Sequence, residues 1–404
     1  MTRKAKILVA VFIRVQVPFT SSQNTSLLSL CIFIFALMFA IGIATPIVPL
    51  YASSLGASWT EIGLIGTSWG VTLMLLAIVS GRMSDRYGRK PLLMTSGLLS
   101  VVAAFLYLVS STVLQVILIR ILEATAWALF WPTVEALATE IVEPKAAGRA
   151  IGIATASYGF AFATSSLVGG YITGAFSYFG TFTVYLALSL ISSLLAIFLL
   201  RGSRPREFAP AASKAHDRLD SASLSSPTVL LAYFLGGAYT FGFGIIITLF
   251  SVFAKTLGVA VFLIGVLFGC FWLGRIVGSF GGGRLSDKLG RGPIVIIAMG
   301  GSALGFVLVA VASGIELLFG GIIILGLSIG ATFPVAVALI SDNIRQSVRG
   351  FAMGIFETTC AAGFMLAATL GGVLSDLYSP RAPYLLAGTI GLASAIIFAL
   401  KRVK

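Results

Sequence analysis

Two copies of one short charged stretch, each set between long apolar runs, constrain this chain more than any other feature. The first copy reads GRMSDRYGRKP over residues 81–91, and the second reads GRLSDKLGRGP over residues 283–293, which is 202 positions later. Five further pairs keep the same offset without insertion: Leu55-Gly56 with Leu257-Gly258, Ile62-Gly63 with Ile264-Gly265, Trp131-Pro132 with Phe333-Pro334, 148–153 with 350–355, and Gly169-Gly170 with Gly371-Gly372. A single register across half the chain is typical of an internal duplication.

The apolar runs between the charged stretches have the length of membrane-crossing helices. Each covers about 20 residues, which as an α-helix crosses the ~30 Å of hydrocarbon in a bilayer. Only 10% of the residues are charged and 58% are hydrophobic, whereas soluble domains carry about 25% charged residues. Strands of a membrane barrel would alternate over about 10 residues, and the sequence shows no such alternation. These observations predict an all-α integral membrane protein.

Twelve apolar runs are grouped as six and six around a polar segment. That segment, 201–227, is rich in arginine and serine, which is typical of a linker. The predicted organisation is a tail over 1–26, a six-helix bundle over 27–200, the linker, a second six-helix bundle over 228–400, and a tail over 401–404. The predicted spans are 27–50, 59–81, 91–110, 113–136, 148–172, 180–200, 228–254, 261–280, 293–312, 315–340, 350–374 and 383–400.

Lysine and arginine are concentrated on one side of the predicted membrane. Of the 27 such residues, 23 lie in the tails, the linker and the loops of one side, and only Lys255 and Arg381 lie on the other side. The positive-inside rule therefore places both termini and both charged stretches in the cytoplasm, with the protein in the cell membrane. Basic residues spread over short loops also argue against a nucleic-acid partner. Residues 1–24 are interpreted as a cytoplasmic tail, or as sequence upstream of the true start codon.

Both charged stretches resemble the Gly-x-Leu-x-Asp-Arg-x-Gly-Arg-Arg/Lys signature of the major facilitator superfamily. The matching residues in the first copy are Gly81, Asp85, Arg86, Gly88, Arg89 and Lys90. Those in the second copy are Gly283, Leu285, Asp287, Gly290 and Arg291. The resemblance covers residues 27–400 and points to the drug-exporter-like branch. It implies two six-helix bundles related by a pseudo-twofold axis.

The chemistry of the signature fits a gate. Gly88 and Gly290 allow the positive φ that a tight turn needs. Asp85 is able to accept charge-assisted hydrogen bonds or to face the N-terminus of a helix. In the family this motif latches the two halves together on the cytoplasmic side and releases them when the carrier opens inward. A second interpretation stays open, in which the basic residues serve topology alone.

The fourth predicted span carries a buried charge pair. Arg120 resembles the arginine of a second family motif, Arg-x-x-Gln-Gly, in which Glu123 and Ala124 here replace Gln and Gly. In proton-driven exporters that arginine is linked to proton transfer. Arg120 and Glu123 are i,i+3 neighbours on one helix face, and charge inside a membrane faces a cavity or a partner. Two hypotheses stay open: a coupling or substrate site, and a static ion pair that braces the bundle.

Three further ionisable residues fall inside the predicted spans that the family architecture assigns to a central cavity. Glu357 is either a carboxylate that loads and releases a proton or a helix-end charge, and Arg275 is able to neutralise it. Glu135 lies near the cytoplasmic end of its span, which favours an interface residue. Trp127 and Trp131, at i,i+4, predict either an aromatic wall for a flat or cationic ligand or simple packing.

The scarcity of amide side chains limits the substrate class. The predicted spans contain no Asn and one Gln, Gln115. Each hydrogen bond that a sugar misses on leaving water costs about 1–3 kcal/mol, so sugars are disfavoured, and the few cavity arginines disfavour phosphate esters. A small amphipathic or lipophilic solute fits better. The only histidine, His216, lies in the predicted linker, so a proton carrier in the membrane would be a carboxylate.

The leading hypothesis is a secondary active transporter that works by alternating access, with proton-coupled efflux of small amphipathic compounds. Its partners would be a small-molecule substrate, protons and the lipid bilayer, and we expect a monomer. One alternative is proton-coupled uptake of an organic acid or another metabolite, whose carboxylate pairs with Arg120 or Arg275. Another is a transport-inactive sensor or scaffold. The fifth span keeps only Gly169-Gly170 of the exporter motif Gly-Pro-x-x-Gly-Gly, so antiport, symport and uniport all stay open.

An enzyme is the least favoured class. The sequence has no Walker loop, paired histidines or nucleophile-and-base arrangement, and we predict neither a catalytic residue nor a cofactor. Cys31, Cys270 and Cys360 are scattered through apolar runs without the spacing of a metal site, so no metal is expected.

Overall fold

The computed structural model describes residues 20–143, 146–200, 224–345 and 348–401. Residues 1–19 of the predicted tail, 201–223 of the predicted linker and 402–404 lie outside the described residues. Twelve α-helices, numbered α1 to α12 in chain order, make up nearly all of the described chain: Ser21–Ala44, Ile47–Ser54, Trp59–Tyr87, Arg89–Val109, Val113–Ile141, Ala147–Leu199, Pro227–Thr256, Val261–Leu289, Arg291–Val311, Ile315–Asn343, Arg349–Leu377 and Ala382–Lys401.

The predicted all-α membrane fold is confirmed, although helices and crossings do not coincide one to one. Ten helical segments of the described chain are long and apolar enough to cross a membrane. One of them, α6, has 53 residues and breaks at Phe176 and Ser177, so it makes two crossings. Helix α3 adds one more crossing, because its 29 residues cover the predicted second span. The described chain therefore makes twelve crossings.

The first predicted span, 27–50, is wrong in detail. It begins earlier, at Ser21, and it is divided into α1 and α2 at Thr45 and Pro46. Proline has no backbone N–H and its ring collides with the preceding turn, so a continuous helix is interrupted there. The two helices still make one crossing, because most of α1 and all of α2 lie in one apolar segment of 32 residues, Gln23–Ser54.

Side-chain caps fix the starts of several helices of the first half. A capping box satisfies two of the four free N–H groups at a helix N-terminus. Such boxes open α1, α3 and α5, with the pairs Thr20 and Gln23, Ser58 and Glu61, and Thr112 and Gln115. The counterparts of α3 and α5 in the second half, α8 and α10, begin after Ala260 and Gly314 and have no side-chain cap.

The 202-residue offset holds for the backbone as well as for the sequence. Helices α3, α4 and α5 begin and end 202 residues before α8, α9 and α10, and α6 begins 202 residues before α11. The turn glycines repeat too: φ is 88° at Gly88 and 90° at Gly290, and 88° at Gly56 and 79° at Gly258. These φ values are cheap only for glycine. The two halves are therefore copies of one backbone.

The charged signature is helical, which corrects the expectation of a loop. Helix α3 continues through Gly81 and Asp85 to Tyr87, Gly88 alone leaves the helical region, and α4 begins at Arg89. The predicted span ended at residue 81 because its charges mark the edge of the hydrocarbon. A helix does not have to end at that edge, since its backbone hydrogen bonds are internal.

The two halves meet along two seams that the repeat makes equivalent. We call the end of the molecule with Gly88 and Gly290 the signature end, and the end with Gly56 and Gly258 the opposite end. In the first seam α3 packs on α11, and a Cβ added to Gly63 would lie 3.1 Å from the Cα of Gly372. In the second seam α6 packs on α8, and a Cβ on Gly170 would lie 2.9 Å from the Cα of Gly265. Both pairs lie toward the opposite end, and only glycine permits such close approach.

The halves separate toward the signature end. Along α6, Gly169 and Gly170 are in contact with neighbouring backbone, whereas Gly148 and Gly152 have nothing within 4 Å of an added Cβ. The same change occurs along α11, where Gly350 and Gly354 have nothing within 4 Å. The bundle is thus closed at the opposite end and open between its halves at the signature end.

Candidate functional site

The arginine that follows the turn glycine in each signature copy, Arg89 or Arg291, is held by three side chains of its own half. Arg89 donates to Ser84 Oγ at 2.6 Å and pairs with Asp85 and Glu140, both at 2.9 Å. Arg89 is only 9% exposed. These contacts tie the ends of α3, α4 and α5 into one unit.

The second copy repeats this network. Arg291 donates to Ser286 Oγ at 2.7 Å and pairs with Asp287 at 2.6 Å and with Asp342 at 3.1 Å. Asp342 stands 202 residues after Glu140, so the third partner follows the repeat although neither residue belongs to the signature.

The described contacts of the signature stay within one half. Arg86 lies over the ring of its neighbour Tyr87 at 5.4 Å. Lys90 Nζ donates to the carbonyl of Ile197 at 2.7 Å, which satisfies one of the last carbonyls of α6. None of the hydrogen bonds or ion pairs described for the signature joins the two halves.

Arg120 and Glu123 form a buried ion pair with every carboxylate oxygen occupied. Arg120 Nη1 lies 2.7 Å from Glu123 Oε2. Tyr107 donates to the same oxygen at 3.0 Å and Tyr185 donates to Oε1 at 2.9 Å. The arginine is 7% exposed and the glutamate 3% exposed. The guanidinium also lies over the ring of Trp69, 4.5 Å from its centre.

This pair faces the interior of the first half and not the space between the halves. Its partners come from α3, α4 and the second arm of α6, residues 178–199, and Tyr107 stacks on Phe182 behind it with ring centres 4.9 Å apart. The expectation that the pair lines a cavity shared by both halves is therefore wrong for this conformation. Three donors around one carboxylate favour the second of the two hypotheses, a fixed brace.

An unbroken row of aromatic rings crosses from one half to the other; we call it the aromatic wall. Ring centres are 5.9 Å apart for Trp69 and Trp127, and 6.2 Å for Trp127 and Trp131, whose planes differ by only 12°. Tyr158 follows at 5.4 Å from Trp131, and Trp272 of the second half follows at 5.3 Å from Tyr158. The predicted pair Trp127 and Trp131 is thus part of a longer surface.

Arg275 lies at the second-half end of the aromatic wall. Its guanidinium carbon is 4.5 Å from the ring centre of Phe243 and 4.9 Å from that of Trp272. Its Nη1 is buried and has no hydrogen-bond partner among the described residues. The expected neutralisation of Glu357 by Arg275 is not observed, because the described ion pairs do not include either residue.

Two carboxylates from opposite halves, Glu135 of α5 and Glu357 of α11, lie within electrostatic range of each other, nearer the signature end. Glu357 is exposed although it lies eight residues inside α11, and Glu135 is half-buried beside Trp131, one turn away on the same helix. Neither has a basic partner within the described part of the chain. Glu135, expected to be an interface residue of little consequence, therefore belongs to the candidate site.

The first seam carries polar contacts at the opposite end. Asp376 near the end of α11 accepts from the backbone N–H groups of Trp59 and Thr60 at 3.1 and 2.7 Å, and from the Thr60 hydroxyl at 2.6 Å. We call this arrangement the Asp376 cap, because the carboxylate of one half caps a helix of the other. Deeper in the same seam, the hydroxyls of Thr67 and Thr369 are 2.8 Å apart.

Comparison with known proteins identifies the family. The sequence profile of the Major Facilitator Superfamily matches residues 29–252 and 229–404. This chain belongs to the major facilitator superfamily. It is a multi-pass membrane transporter and not an enzyme.

The transporter is similar to curated relatives along nearly its whole length. It is 23% identical over 400 residues to multidrug resistance protein 2 of Bacillus subtilis (strain 168), covering 95% of this chain and 97% of that one. It is 24% identical over 393 residues to multidrug resistance protein 1 of the same organism, covering 94% and 97%. Among solved structures, the nucleoside transporter NupG superposes with a TM-score of 0.76 at 15% identity, covering 94% of this chain and 100% of that chain.

Several residues of the transporter's candidate site were not predicted from the sequence. They are Trp69, Tyr107, Tyr158, Tyr185, Trp272 and Asp376. Tyrosine and tryptophan in an apolar span are ordinary core residues, so only the tertiary contacts single them out. Asp376 had a usable signal, because its counterpart in the repeat is Gly174 and a charge that breaks the repeat is unexpected.

Proposed function

We propose that this transporter exports small amphipathic compounds, including cationic ones, in exchange for protons by alternating access. The single observation that carries the proposal is that Glu135 and Glu357, from opposite halves, lie within electrostatic range of each other without a basic partner among the described residues. The names of the curated relatives, both multidrug resistance proteins, support export as the direction.

Competition for the two carboxylates would couple the substrate to protons. Two carboxylates in electrostatic range repel each other, and either a proton or an organic cation relieves that repulsion. A site that holds one or the other, and reaches each side of the membrane in turn, exchanges the two. Because the carboxylates belong to different halves, occupancy also acts on the distance between the halves, which links binding to the conformational change.

The rigid bodies in this cycle would be the two predicted bundles, 27–200 and 228–400. The positive-inside rule assigns the signature end to the cytoplasm, so the conformation described here is the one open to the cytoplasm. In the outward-open state the seams at Gly63 and Gly265 would part. The signature end would close, and Asp85 and Arg86 would then be free to contact the other half as the gate motif of the family implies.

The pair of Arg120 and Glu123 has a supporting role in this proposal. Three donors hold Glu123, and Glu123 in turn holds Arg120 against Trp69, the first ring of the aromatic wall. A charge fixed in this way positions the wall. The proton is then carried by Glu357 and Glu135, which have no basic partner among the described residues, although Trp131 donates a side-chain hydrogen bond to Glu135.

The proposal is tested by flux in proteoliposomes with an imposed pH gradient. The probe is a fluorescent diaminoxanthene benzoic acid methyl ester, which is a flat organic cation because its carboxyl group is esterified. We expect wild-type protein to move the dye against the proton gradient, and Glu357→Gln to lower this pH-driven flux at least tenfold, because an amide neither binds nor releases a proton. Glu316→Gln, at the start of α10, is the matched control and should behave as wild type.

A second comparison separates the carrier of the proton from the brace. Glu123→Gln should lower the melting temperature, since breaking a buried pair costs about 3–5 kcal/mol, while the remaining flux still responds to pH. Full pH-driven flux in Glu357→Gln, or loss of the pH response in Glu123→Gln alone, would contradict the assignment of the proton to Glu357.

The alternatives predict different outcomes in the same assay. Proton-coupled uptake of an organic acid is favoured by the unpartnered Nη1 of Arg275, and it predicts that fluorescein, the anionic xanthene, moves with the gradient while the ester does not. A transport-inactive sensor predicts that no dye moves in wild-type protein or in Asp85→Asn.

A further inference from the structure

We propose that Arg275 is a positioning residue of the transport cycle. With Trp272 of its own half, and with Tyr158 and Phe162 of the other half, it forms a contact in the middle of the second seam that we call the mid-seam clasp. The clasp would be the pivot about which α6 and α8 tilt, and it would stay closed while the two ends of the seam open in turn. This inference rests on the alternating access of the proposed function and gives Arg275 no role in binding a substrate or a proton.

Trp272 makes the ring contacts that cross between the halves. Its ring centre is 5.3 Å from that of Tyr158, with the two planes at 88°, and 4.6 Å from that of Phe162. Beside these rings, a Cβ added to Gly159 would lie 2.9 Å from Cγ1 of Ile276. The first arm of α6 and α8 are therefore packed closely at this level, and Trp272 is buried there.

Arg275 fixes the position of Trp272. Its guanidinium carbon is 4.9 Å from the ring centre of Trp272 and 4.5 Å from that of Phe243, so the charge lies against two rings of the second half. Arg275 also donates a hydrogen bond to the Tyr158 hydroxyl of the first half. A planar guanidinium is able to stack on rings and to donate in its own plane at the same time. One side chain therefore connects the ring that crosses the seam with both halves.

The clasp lies near the middle of both helices. Arg275 is fourteen residues from each end of α8, Val261–Leu289. Tyr158 is eleven residues after the start of α6 at Ala147 and eighteen residues before its break at Phe176. At 1.5 Å per residue, the ends of the seam are about 16–27 Å from the clasp. When two rods tilt against each other, a contact near their middle changes least in length.

The seam differs on the two sides of the clasp. Toward the opposite end, Gly170 is in contact with Gly265. Toward the signature end, a Cβ added to Gly152 or Gly148 has nothing within 4 Å. The seam is thus closed on one side of the clasp and open on the other, as expected for two helices that tilt about this contact.

The charge makes the clasp costly to break and tolerant of a small tilt. A charged side chain in the middle of a membrane is expensive without partners, and parting the halves here would take the Tyr158 hydroxyl away from Arg275. A cation is attracted to a ring within about 6 Å of its centre, whereas a hydrogen bond weakens steeply when it bends. A small tilt therefore keeps the ring contacts of Arg275, which favours a pivot over a gate that opens.

Three of the four clasp residues depart from the internal repeat. The counterparts of Trp272, Arg275 and Tyr158 are Gly70, Leu73 and Cys360. At this level of the first seam, a Cβ added to Gly70 would lie 3.0 Å from Cβ of Met365. The first seam therefore packs a glycine on a methionine where the second seam has rings and a charge, so the clasp serves a task of the second seam alone.

The test measures three distances across the second seam by pulsed electron paramagnetic resonance. Spin labels are attached to the full-length protein, in a background without the native cysteines, at exposed positions of α6 and α8. The pairs are Gly148→Cys with Leu289→Cys at the signature end, Phe160→Cys with Val277→Cys beside the clasp, and Tyr171→Cys with Phe262→Cys at the opposite end. Each pair is measured at alkaline pH, at acidic pH and with the ester used above.

The two end pairs should change in opposite directions while the middle pair stays constant. A relative tilt of about 10° moves points about 15–20 Å from the clasp by about 3 Å, and points beside it by less than about 1 Å. Equal lengthening of the middle and opposite-end pairs would show that the seam opens as a gate. Constant distances in all three pairs would show that no pivot operates. Either result would overturn the inference.

Substitutions of the clasp test the role of Arg275. Arg275→Gln should lower the maximal rate of ester flux at least tenfold, change the KM for the ester by less than twofold, and broaden the middle-pair distance. Arg275→Lys, which keeps the charge without the planar stack, should restore part of the rate. Tyr158→Phe, which removes one hydrogen bond and keeps the ring, should lower the rate about threefold. The control Arg284→Gln removes an arginine of the same helix that lies over Phe280 at 6.0 Å, and it should change none of these quantities.

The results separate this inference from the proposed function. A higher KM with an unchanged maximal rate in Arg275→Gln would assign this arginine to the substrate and overturn the pivot. If ester flux is coupled to protons while the middle pair moves with an end pair, export stands and the pivot fails. If wild-type protein moves no ester while the end pairs tilt about a constant middle pair, the pivot stands and the proposed function fails.

Discussion

The two seams between the halves have the same backbone and different chemistry. Both bring a glycine pair into contact toward the opposite end, Gly63 with Gly372 and Gly170 with Gly265. The first seam adds the Asp376 cap and the hydrogen bond of Thr67 with Thr369. In the second seam the counterparts of those residues in the repeat are apolar or glycine, and Gly269 packs on the side chain of Leu167.

Because of this difference, the distance between the halves and the strength of their closure are set by different contacts. The glycine pairs set how closely the halves approach, and the repeat gives both seams the same limit. The polar contacts set how strongly the opposite end stays closed, and they act on one seam only. Opening of the opposite end should therefore begin from the second seam, where the counterparts of these residues form no described polar contact.

The largest effect is expected from filling a glycine contact. Gly63→Val in the first seam and Gly265→Val in the second should each lower ester flux roughly tenfold to a hundredfold. The added side chain meets backbone at about 3 Å, and overpacking costs about 1–3 kcal/mol. The measurement is proteoliposome flux, with Gly354→Val, which meets open space, as the control. A large loss in only one seam would show that the two are not equivalent.

An intermediate effect is expected from the Asp376 cap. Asp376→Asn should favour opening of the opposite end about threefold to thirtyfold, since a helix cap contributes about 0.5–2 kcal/mol. The measurement is the distance between spin labels on Ser54→Cys and Thr256→Cys, two exposed positions related by the repeat, in a background without the native cysteines.

The converse substitution sharpens the comparison of the seams. Gly174→Asp places a carboxylate at the position that the repeat pairs with Asp376, and an added side chain there meets open space. It should cap α8 and shift the label distance toward the closed state. An unchanged distance in both Asp376→Asn and Gly174→Asp would remove the cap from the account of closure.

The smallest effect is expected from the threonine pair. Thr67→Val should favour opening about fivefold, because one hydrogen bond contributes about 1 kcal/mol. Leu167→Thr, at the repeat counterpart of Thr369, is the matched change in the second seam, where Gly269 offers no partner. The same spin-label distances measure both variants. A shift in Leu167→Thr as large as that in Thr67→Val would show that packing, and not the hydrogen bond, is responsible.

The sequence predicts the fold of this protein well because the fold depends on local composition and on the repeat. Apolar length gives the crossings, and the 202-residue offset gives the equivalence of the halves. The ends of the helices are less predictable, since hydropathy marks the membrane surface and α3 continues past it to Tyr87. Only the positive φ of Gly88 ends that helix.

The candidate site depends on departures from the repeat. Outside the two signature networks, every charge singled out in the predicted spans has an uncharged counterpart, as Arg120 has Ile322, Arg275 has Leu73 and Glu357 has Thr155. The sequence therefore identifies these charges. It does not identify which charges meet, because the partners of Glu123 and the neighbour of Glu357 come from other helices and are fixed by tertiary packing.

The length of α3 turns a small rotation into a large displacement. Its 29 residues measure about 43 Å against about 30 Å of hydrocarbon, so the helix is longer than the lipid by about two turns. From Gly63, where the helix touches the other half, to Tyr87 is about 36 Å. A tilt of about 10° at that fulcrum moves the far end of the helix by about 6 Å, which is enough to make or break a side-chain ion pair. Helix α3 therefore acts as a lever arm. Its charged end moves by several ångströms when the residues that touch the other half barely move.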